Sequence, residues 1–433
     1  MEKLVIHGGR RLEGRVKISG AKNAVLPIIA ATLLGQDSPS LLDEVPALED
    51  VHTITEVLQK LGVKAEFRKE THQLFVDSTV IGSCEAPYDL VRKMRASFLI
   101  MGPLLARCGQ AKISLPGGCA IGTRPIDLHL KGFEALGAQI RVGHGFIEAA
   151  APEGLKGAKI YLDFPSVGAT ENIIMAASMA EGQTVLENPA QEPEIVDLAN
   201  YLNVMGAKIR GAGTNVIKID GVPKLTGRDY TIIPDRIEAG TYMAAVAACG
   251  GQVLVRGIIP KHMDCITAKL QEMGVQVEEQ DDTLLVRRSG KLRRTNVKTL
   301  PYPGFPTDMQ PQITVALCLA EGTSMVTEGV WDNRYRYVGE LTRMGAQIRV
   351  EGRSAVIEGV DHLTAASVQA YDLRAGAAMV IAALAAEGTS EVSNVHYIER
   401  GYEDIIGKLR ALGADIRAVE EPDEDVLSTA QIS

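Results

Sequence analysis

A cysteine set among glycines is the residue of this chain best suited to covalent or proton-transfer chemistry. Cys119 lies in the segment Pro116-Gly-Gly-Cys-Ala-Ile-Gly122, and Arg124 follows it by five residues. Three glycines and two prolines within residues 116–125 predict an irregular loop. A thiol on such a loop beside a cation is a candidate reactive group, because positive charge favours the thiolate. An inert cysteine in a turn is the alternative interpretation.

Polar residues also stand at the starts of six stretches that are otherwise small and apolar. These are Lys22-Asn23, Arg95 with Ser97, Thr170-Glu171, Asp235-Arg236, Thr307-Asp308, and Asp372 with Arg374. If the stretches are helices, their N-termini carry partial positive charge and free N–H groups. Helix N-termini that converge on one cleft would bind a multiply anionic ligand.

Helix capping is the alternative role for the acidic members of this set. Asp235, Asp308 and Asp372 are good N-cap residues, and Asp235 with Glu238 resembles a capping box. Lys22 and Arg95 oppose the helix dipole, so an anionic ligand is the favoured explanation for them. Asp308 is also a candidate general base.

The six stretches belong to a repeat of about seventy residues. Its marker is a hydrophobic residue, then Gly, then Ala or Val, which recurs at Gly62, Gly137, Gly206, Gly274, Gly345 and Gly413. Each copy contains a small-residue helix, a strand, an amphipathic helix and two strands, which predicts an α/β fold. A chain of 433 residues favours two domains of three copies each. The small-residue helices should be buried and the amphipathic helices should face solvent.

Composition excludes several functional classes. The net charge of −9, with one Trp and seven Phe, argues against nucleic acid as a partner. The apolar stretches are too short for a bilayer, and the N-terminus has no signal-like apolar region. Six cysteines lack paired spacing, and eight histidines lack metal-ligand spacing. We therefore expect a cytoplasmic protein with reduced thiols and no metal, which acts on small molecules as a monomer or weak homo-oligomer.

Nine motifs follow one another along nearly the whole chain. They are Ser19-Gly-Ala-Lys-Asn-Ala, Met94-Arg-Ala-Ser, Pro116-Gly-Gly-Cys-Ala-Ile-Gly, Arg124-Pro-Ile-Asp-Leu-His, Ser166-Val-Gly-Ala-Thr, Ile233-Pro-Asp-Arg, Phe305-Pro-Thr-Asp-Met-Gln, Trp331-Asp-Asn-Arg and Arg400-Gly-Tyr. In this order they closely resemble the UDP-N-acetylglucosamine 1-carboxyvinyltransferases, a family of enolpyruvyl transferases. The resemblance implies a two-domain inside-out α/β barrel built from six βαβαββ-like repeats. It places 22–232 in one domain and 1–21 with 233–433 in the other, and we expect 420–433 to be a frayed acidic tail.

The resemblance also implies a reaction. The family adds the sugar 3-hydroxyl to C2 of phosphoenolpyruvate and then releases phosphate, which opens peptidoglycan synthesis. It implies Cys119 as the acid that protonates C3 and as the carrier of a covalent adduct, with inactivation by fosfomycin. It implies that Asp308 takes the 3-hydroxyl proton and that Lys22 and Arg400 complete the catalytic set. No cofactor is implied, because phosphoenolpyruvate is a co-substrate.

The binding residues implied by the resemblance fall into three groups. For phosphoenolpyruvate they are Lys22, Asn23, Arg124, Arg334 and Arg400. For the UDP-sugar they are Arg95, Arg124, Pro125, Ile126, Asp127, Leu128, Ser166, Val167, Gly168, Asp308 and Val330. The supporting residues are His129, Asp235, Asp372 and Arg374. Some relatives carry a basic residue where this chain has Phe164-Pro165, so a diphosphate contact from that segment is not expected.

Three other functions compete with this interpretation. Enolpyruvyl transfer to shikimate 3-phosphate shares the fold and the donor, but the sister family does not use a loop thiol. A non-catalytic paralogue that binds the UDP-sugar is disfavoured because the chemical residues are intact. RNA-end chemistry on a related repeat fold is disfavoured by the acidic pI and by the lack of a histidine nucleophile motif.

Overall fold

A computed structural model describes residues 2–86, 88–114, 126–143 and 145–420, apart from the side chains of Arg92, Lys93 and Arg95. Cys119, Arg124, Pro125 and the Arg95 side chain therefore lie outside the described residues, and so does the predicted tail beyond 420. The tail was expected to begin at Glu420, and that boundary is wrong by one residue. Glu420 ends the last strand and pairs with Glu2.

The described residues form fourteen α-helices of three kinds. The buried helices, rich in small residues, are α1 (Lys22–Ala31), α4 (Met101–Cys108), α6 (Val167–Ala177), α8 (Arg236–Cys249), α10 (Gln310–Cys318) and α12 (Leu373–Ala385). The helices with one polar face are α2 (Glu49–Lys60), α5 (Asp127–Ala135), α7 (Pro193–Val204), α9 (Asp264–Glu272), α11 (Val338–Arg343) and α14 (Ile405–Ala411). Two short helices, α3 (Tyr88–Lys93) and α13 (His396–Glu399), complete the set.

The strands form separate small sheets. Within the described residues, five of these sheets are four-stranded. Two of them consist of β13 (Tyr230–Thr231), β3 (Ser40–Asp43), β5 (Gln73–Asp77) and β4 (Lys64–Arg68), and of β9 (Lys159–Tyr161), β10 (Gln183–Glu187), β12 (Val216–Asp220) and β11 (Lys208–Arg210). The other three consist of β2 (Leu12–Lys17), β14 (Gly251–Arg256), β16 (Thr283–Arg288) and β15 (Gln276–Gln280); of β18 (Val297–Lys298), β20 (Thr323–Thr327), β22 (Ser354–Glu358) and β21 (Gln347–Glu351); and of β23 (Ser367–Gln369), β24 (Thr389–Ser393), β1 (Glu2–His7) and β25 (Asp415–Glu420). The remaining sheets are β6 (Gln110–Ser114), β8 (Phe146–Ala150) and β7 (Gln139–Gly143), and the pair β17 (Leu292–Arg293) with β19 (Ala320–Glu321).

One pairing pattern recurs in the four-stranded sheets. The strand that follows a buried helix pairs in parallel with one neighbour and antiparallel with a hairpin on its other side. In the sheet that contains β24, two strands that are far apart in sequence take the place of the hairpin. There β1, from the N-terminus, lies between β24 and β25 and pairs antiparallel with both.

Buried side chains form two separate clusters, which we call the first core and the second core. The first core contains residues between 21 and 232. The second core contains residues between 4 and 18 together with residues between 237 and 416. The expected α/β class is therefore confirmed, and the buried setting of the small-residue helices is confirmed as well. In α8, every residue from Arg236 to Ala248 is buried.

The chain crosses between the cores at two segments that run side by side. Ala21 N donates to Ile233 O at 2.7 Å, and Asp235 N donates to Ser19 O at 2.9 Å. The first residues of α1 and α8 are thereby held next to each other. This pairing brings Lys22 and Asp235, which are more than two hundred residues apart in sequence, to the same place.

Candidate active site

Asp308 lies between two buried arginines of the second core. It belongs to a short 3-10 turn, Thr307–Met309, that leads into α10. Arg334 Nη2 donates to Asp308 Oδ1 at 3.3 Å, and Arg374 Nε donates to Oδ2 at 3.2 Å. The two arginine side chains are 1% and 2% exposed, whereas that of Asp308 is 26% exposed. Two charge-assisted hydrogen bonds therefore fix a carboxylate that still reaches the surface.

The same arginines carry N–H groups that the described residues leave without acceptors. These are Nε and Nη1 of Arg334 and Nη1 of Arg374, all buried. Burial opposes the charge of Arg374, but the neighbouring Tyr402, Asp308 and Asp235 raise its pKa above the ordinary value. Buried cationic donors without acceptors are costly. The arrangement is therefore suited to receive an anionic ligand.

A second ion cluster joins the two cores. Lys22 Nζ lies 2.8 Å from Asp50 Oδ2. Arg400 donates from Nε to Asp50 Oδ1 at 2.9 Å and from Nη2 to Oδ2 at 3.3 Å. Lys22 opens α1 and Asp50 lies on α2, both on the first core, whereas Arg400 follows α13 on the second. Asp50 therefore connects the predicted residues Lys22 and Arg400 across the boundary between the cores.

The pKa values in this cluster follow from burial and charge. Burial raises the pKa of Asp50, but Lys22 and Arg400 more than offset this and hold it below its ordinary value. Burial lowers the pKa of Lys22, as do the charges of Arg374 and Arg400, against the opposing effect of Asp50. The influence of Arg374 on Lys22 places both clusters within electrostatic range of each other.

The combined site is electropositive. Lys22, Arg334, Arg374 and Arg400 are opposed by the carboxylates of Asp50, Asp308 and Asp235, so the cations are in excess. A ligand with a phosphate and a carboxylate would balance this excess. Asn23, beside Lys22, is exposed and can reach such a ligand.

Asp235 and Asp372 are helix caps, as expected, but Asp235 serves two helices. Asp235 Oδ1 accepts from the backbone N–H groups of Ile237 and Glu238 at 2.8 and 3.0 Å. Its Oδ2 accepts from Lys22 N at 3.1 Å. The capping box is not closed, because Glu238 accepts from Ser19 N instead.

Asp372 caps the helix that carries Arg374. Its Oδ1 accepts from Arg374 N at 2.8 Å and from Ala375 N at 2.9 Å. Asp308, the third expected cap, is not one: Pro306 stands at that position, and the Asp308 carboxylate binds the arginines. A carboxylate held by cations rather than by backbone N–H groups fits the alternative prediction of a chemical role.

Six of the residues expected at the UDP-sugar, 126–128 and 166–168, lie at the starts of α5 and α6 on the first core. Ser166 Oγ caps α6 by accepting from Ala169 N at 3.4 Å. His129 joins the two helices, because its Nδ1 lies 3.0 Å from Asn172 Nδ2. A Cβ atom at Gly168 would lie 3.2 Å from His129 Cε1, so a larger residue there would have to displace the His129 ring by a few tenths of an ångström. Ile126, Leu128 and Val167 pack partly on the first core, and Asp127 is exposed.

A carboxylate that the sequence did not single out links Val330 to the turn that contains Asp308. Glu328, 1% exposed, accepts at Oε1 from Val330 N and from the hydroxyl of Thr307, at 2.9 and 3.0 Å. It therefore anchors both the turn that contains Asp308 and the one that contains Val330. Asp50 was missed as well. At the second position of an amphipathic helix, it is indistinguishable in sequence from an acid that favours the helix dipole.

Other reactive groups are sparse in the part of the chain that is described. Its five cysteines are free thiols, and burial raises the pKa of Cys108, Cys249 and Cys318 to about 12. No three His, Cys, Asp or Glu side chains within the described ranges are grouped so that they could hold a metal ion. In the same ranges, no helix combines the length and the apolar character that crossing a bilayer demands.

Comparison with known proteins adds independent information. The family model described as EPSP synthase (3-phosphoshikimate 1-carboxyvinyltransferase) matches residues 6–409. The chain is 61% identical to UDP-N-acetylglucosamine 1-carboxyvinyltransferase 2 of Carboxydothermus hydrogenoformans, over 97% of this chain and 100% of that one. It is 55% identical to UDP-N-acetylglucosamine 1-carboxyvinyltransferase 1 of Halalkalibacterium halodurans, over 98% and 96%. Among solved structures it is similar to the enolpyruvyl transferase NikO from Streptomyces tendae, with a TM-score of 0.89, 27% identity, and coverage of 97% and 99%.

Proposed function

This chain belongs to the EPSP synthase family and, within it, to the UDP-N-acetylglucosamine 1-carboxyvinyltransferases, and we propose that it transfers the enolpyruvyl group of phosphoenolpyruvate to the 3-hydroxyl of UDP-N-acetylglucosamine. Phosphate is the second product. The reaction is the first committed step of peptidoglycan synthesis.

The observation that carries the proposal is the setting of Asp308. A partly exposed carboxylate stands between two buried guanidinium groups that have donors to spare within the described residues. A base that takes a hydroxyl proton and cations that hold an anionic acceptor are thereby placed side by side. Addition of an alcohol to phosphoenolpyruvate needs both at once.

The reaction has two steps. In the addition, a bond forms between the sugar O3 and C2 of phosphoenolpyruvate, O3 gives its proton to Asp308, and C3 gains a proton from Cys119. In the elimination, the bond between C2 and the phosphate oxygen breaks and C3 gives a proton back to the Cys119 thiolate, which restores the double bond, while the proton on Asp308 leaves with the phosphate. Lys22 and Arg400, with Arg124, hold the phosphate and the carboxylate. Fixed cations in a closed site stabilise the charge of the departing phosphate.

The UDP-sugar occupies the first-core side of the site. Its proposed contacts are Arg95, Arg124, Pro125, Ile126, Asp127, Leu128, Ser166, Val167 and Gly168, with Asp308 and Val330 on the opposite side. The pairing of His129 with Asn172 supports this assignment, because it holds the starts of α5 and α6 together. Asn23 and Arg334 contact phosphoenolpyruvate.

The proposal extends to the domain architecture and the cellular location, which are taken from the same family. The two cores are the interiors of two inside-out α/β barrels, 22–232 and 1–21 with 233–433, each of three βαβαββ-like units. The strand pairing that recurs in the five four-stranded sheets supports a fold of equivalent units. The enzyme works in the cytoplasm as a monomer or weak homo-oligomer and needs no cofactor beyond its two small-molecule substrates.

The decisive test is phosphate release from phosphoenolpyruvate, measured with UDP-N-acetylglucosamine, with shikimate 3-phosphate and with neither. We expect release only with the UDP-sugar. We expect Cys119→Ala to lose this release and to resist fosfomycin. Cys265→Ala, which changes a partly buried thiol on α9, is the matched control and should retain parent activity and fosfomycin sensitivity.

Each other outcome removes a defined part of the proposal. Release with shikimate 3-phosphate alone would reassign the acceptor. UDP-sugar-dependent release in both the parent and Cys119→Ala would keep the reaction and eliminate the thiol as its acid. UDP-sugar binding without any release would leave a non-catalytic binding protein.

A further inference from the structure

A buried polar network lies inside the second core, directly behind Arg374. It consists of Thr241 on α8, Gln312 on α10 and Tyr402, which are 3%, 0% and 2% exposed. Their neighbours are the small apolar side chains that otherwise fill these helices. Polar groups in such a place destabilise the fold unless they are hydrogen-bonded, and within the described residues Gln312 Oε1 is the member of this network without a partner.

The hydrogen atoms of this network can be assigned. Thr241 Oγ1 donates to Ile237 O at 2.7 Å, which uses its single hydrogen. The Tyr402 hydroxyl, 3.0 Å from Thr241 Oγ1, is therefore the donor of that pair. Gln312 Nε2 donates to the Tyr402 oxygen at 3.1 Å and to Thr241 Oγ1 at 3.2 Å. Two helices of the second core thus fix the orientation of the tyrosine.

The ring of Tyr402 faces the Arg374 guanidinium. The Arg374 Cζ atom lies 5.3 Å from the ring centroid, within the range of a cation–π interaction. The side chain of Arg374 then extends to Asp308, where its Nε donates at 3.2 Å.

We infer that Tyr402 is a positioning residue for the proposed reaction. Its ring holds the guanidinium of Arg374, and Arg374 in turn holds the carboxylate of Asp308 at the angle at which it meets the sugar hydroxyl. Thr241 and Gln312 keep the ring in place. The inference rests on the proposed function and adds to it that buried residues of the second core determine the orientation of the Asp308 carboxylate.

The physical reason is that one hydrogen bond to Asp308 does not fix a guanidinium plane. Tyr402 supplies a second restraint, because its ring lies against the guanidinium and its side chain is also a hydrogen-bond partner of Arg374. Proton transfer is sensitive to displacements of about half an ångström in the reacting groups. Loss of the restraint should therefore reduce turnover more than substrate binding.

The test compares three variants of the full-length protein. Tyr402→Phe keeps the ring and removes the hydroxyl that anchors it, and Thr241→Val removes the acceptor of that hydroxyl. Tyr201→Phe is the control, because Tyr201 is equally buried in the first core and its hydroxyl lies 2.8 Å from Ser40 Oγ. Each variant is assayed for kcat, for KM of both substrates, for the pH profile of kcat and for thermal stability.

We expect Tyr402→Phe to lower kcat about tenfold and to leave both KM values within about twofold of the parent. The acid limb of its pH profile should move to higher pH, because a looser Arg374 stabilises the ionised Asp308 less. Thr241→Val should lower kcat by a smaller factor in the same way. Tyr201→Phe should lose similar thermal stability but keep kcat and the pH profile of the parent.

A kcat within twofold of the parent in both Tyr402→Phe and Thr241→Val would overturn the inference. If Tyr402→Phe does not fold, Thr241→Val alone decides. If the parent releases no phosphate, the proposed function fails, and crystal structures of the parent and Tyr402→Phe then test the positioning alone. An unchanged Arg374–Asp308 hydrogen bond in the variant would refute it, and a displaced guanidinium would support it.

Discussion

The helix N-termini of the two cores are finished in different ways. On the second core, Asp235 and Asp372 cap α8 and α12 with their own carboxylates. On the first core, α1 follows Ala21, has a cation as its first residue, and takes an acceptor for Lys22 N from Asp235 of the other core. At α8 and α12 the second core therefore supplies fixed carboxylates, whereas at α1 the first core presents a cation.

Buried carboxylates of the first core differ among themselves in their pKa values. On the first core, burial raises the pKa of Glu171 well above its usual range, and it raises that of Asp197 to about 6. Asp50, which is also buried there, has a lowered pKa because Lys22 and Arg400 outweigh its burial. A buried acid at this boundary is thus ionised where a cation from the site reaches it. The chemistry at the ligand site should therefore depend on the few buried carboxylates that lie beside a cation of the site.

The largest expected effect tests the second-core carboxylate. Asp308→Asn keeps the shape of the side chain and removes the base, so kcat should fall by about two to four orders of magnitude. The measurement is UDP-sugar-dependent phosphate release at saturating substrates. Asp332→Asn, at a side chain that is 81% exposed and paired with Arg353, should behave like the parent. Near-parent activity of Asp308→Asn would mean that the base lies elsewhere.

The next effect tests the positive charge of the first core. Lys22→Met removes a buried cation and should lower kcat/KM for phosphoenolpyruvate about a hundredfold or more, because the departing phosphate loses a stabilising charge. Steady-state kinetics with phosphoenolpyruvate as the varied substrate measures this. An unchanged kcat/KM would show that Arg400 and the second-core arginines suffice.

A third experiment compares how the stability of variants at two buried acids, Asp197 and Asp50, depends on pH. The folded-state pKa of Asp197, near 6, lies above its unfolded value near 4, so the parent loses stability as pH rises through this window. Removing that titration in Asp197→Asn should improve the variant relative to the parent by up to about 3 kcal/mol between pH 4 and 6.

Asp50→Asn should show the opposite slope. Because the folded-state pKa of Asp50 is lowered, its contribution is complete above the unfolded pKa and disappears as pH falls through the folded one. The disadvantage of the variant should therefore shrink on acidification. Urea unfolding at several pH values measures both slopes, and slopes of the same sign would refute the contrast.

The smallest effect separates the two caps. Asp372→Ala removes one helix cap and should cost about 1 kcal/mol of unfolding free energy. Asp235→Ala removes a cap and the acceptor of Lys22 N, so it should cost about 1 kcal/mol more. Urea denaturation with a common m-value compares them. Equal losses would show that the bond from Lys22 N to Asp235 contributes nothing.

Local features of the sequence predicted much of this site. The caps at Asp235 and Asp372, and the cation at the start of α1, depend on residues within one helical turn. The partners of Asp308 and Arg400 could not be predicted in this way. Arg334, Arg374 and Asp50 reach them from 26, 66 and 350 residues away, and only the folded chain determines those distances. Glu328 and the Thr241–Gln312–Tyr402 network belong to the same class.

The position of β1 has a consequence for the order in which the parts of the protein fold. Leu4 pairs with Val392 on β24 and with Ala418 on β25, so β1 remains unpaired in its sheet until residues 389–420 have been synthesised. The first core closes with residues up to 232 and can therefore form during translation. This sheet of the second core cannot form until β25 has been synthesised. During that interval the nascent chain exposes an unpaired apolar strand, which is a substrate for chaperones.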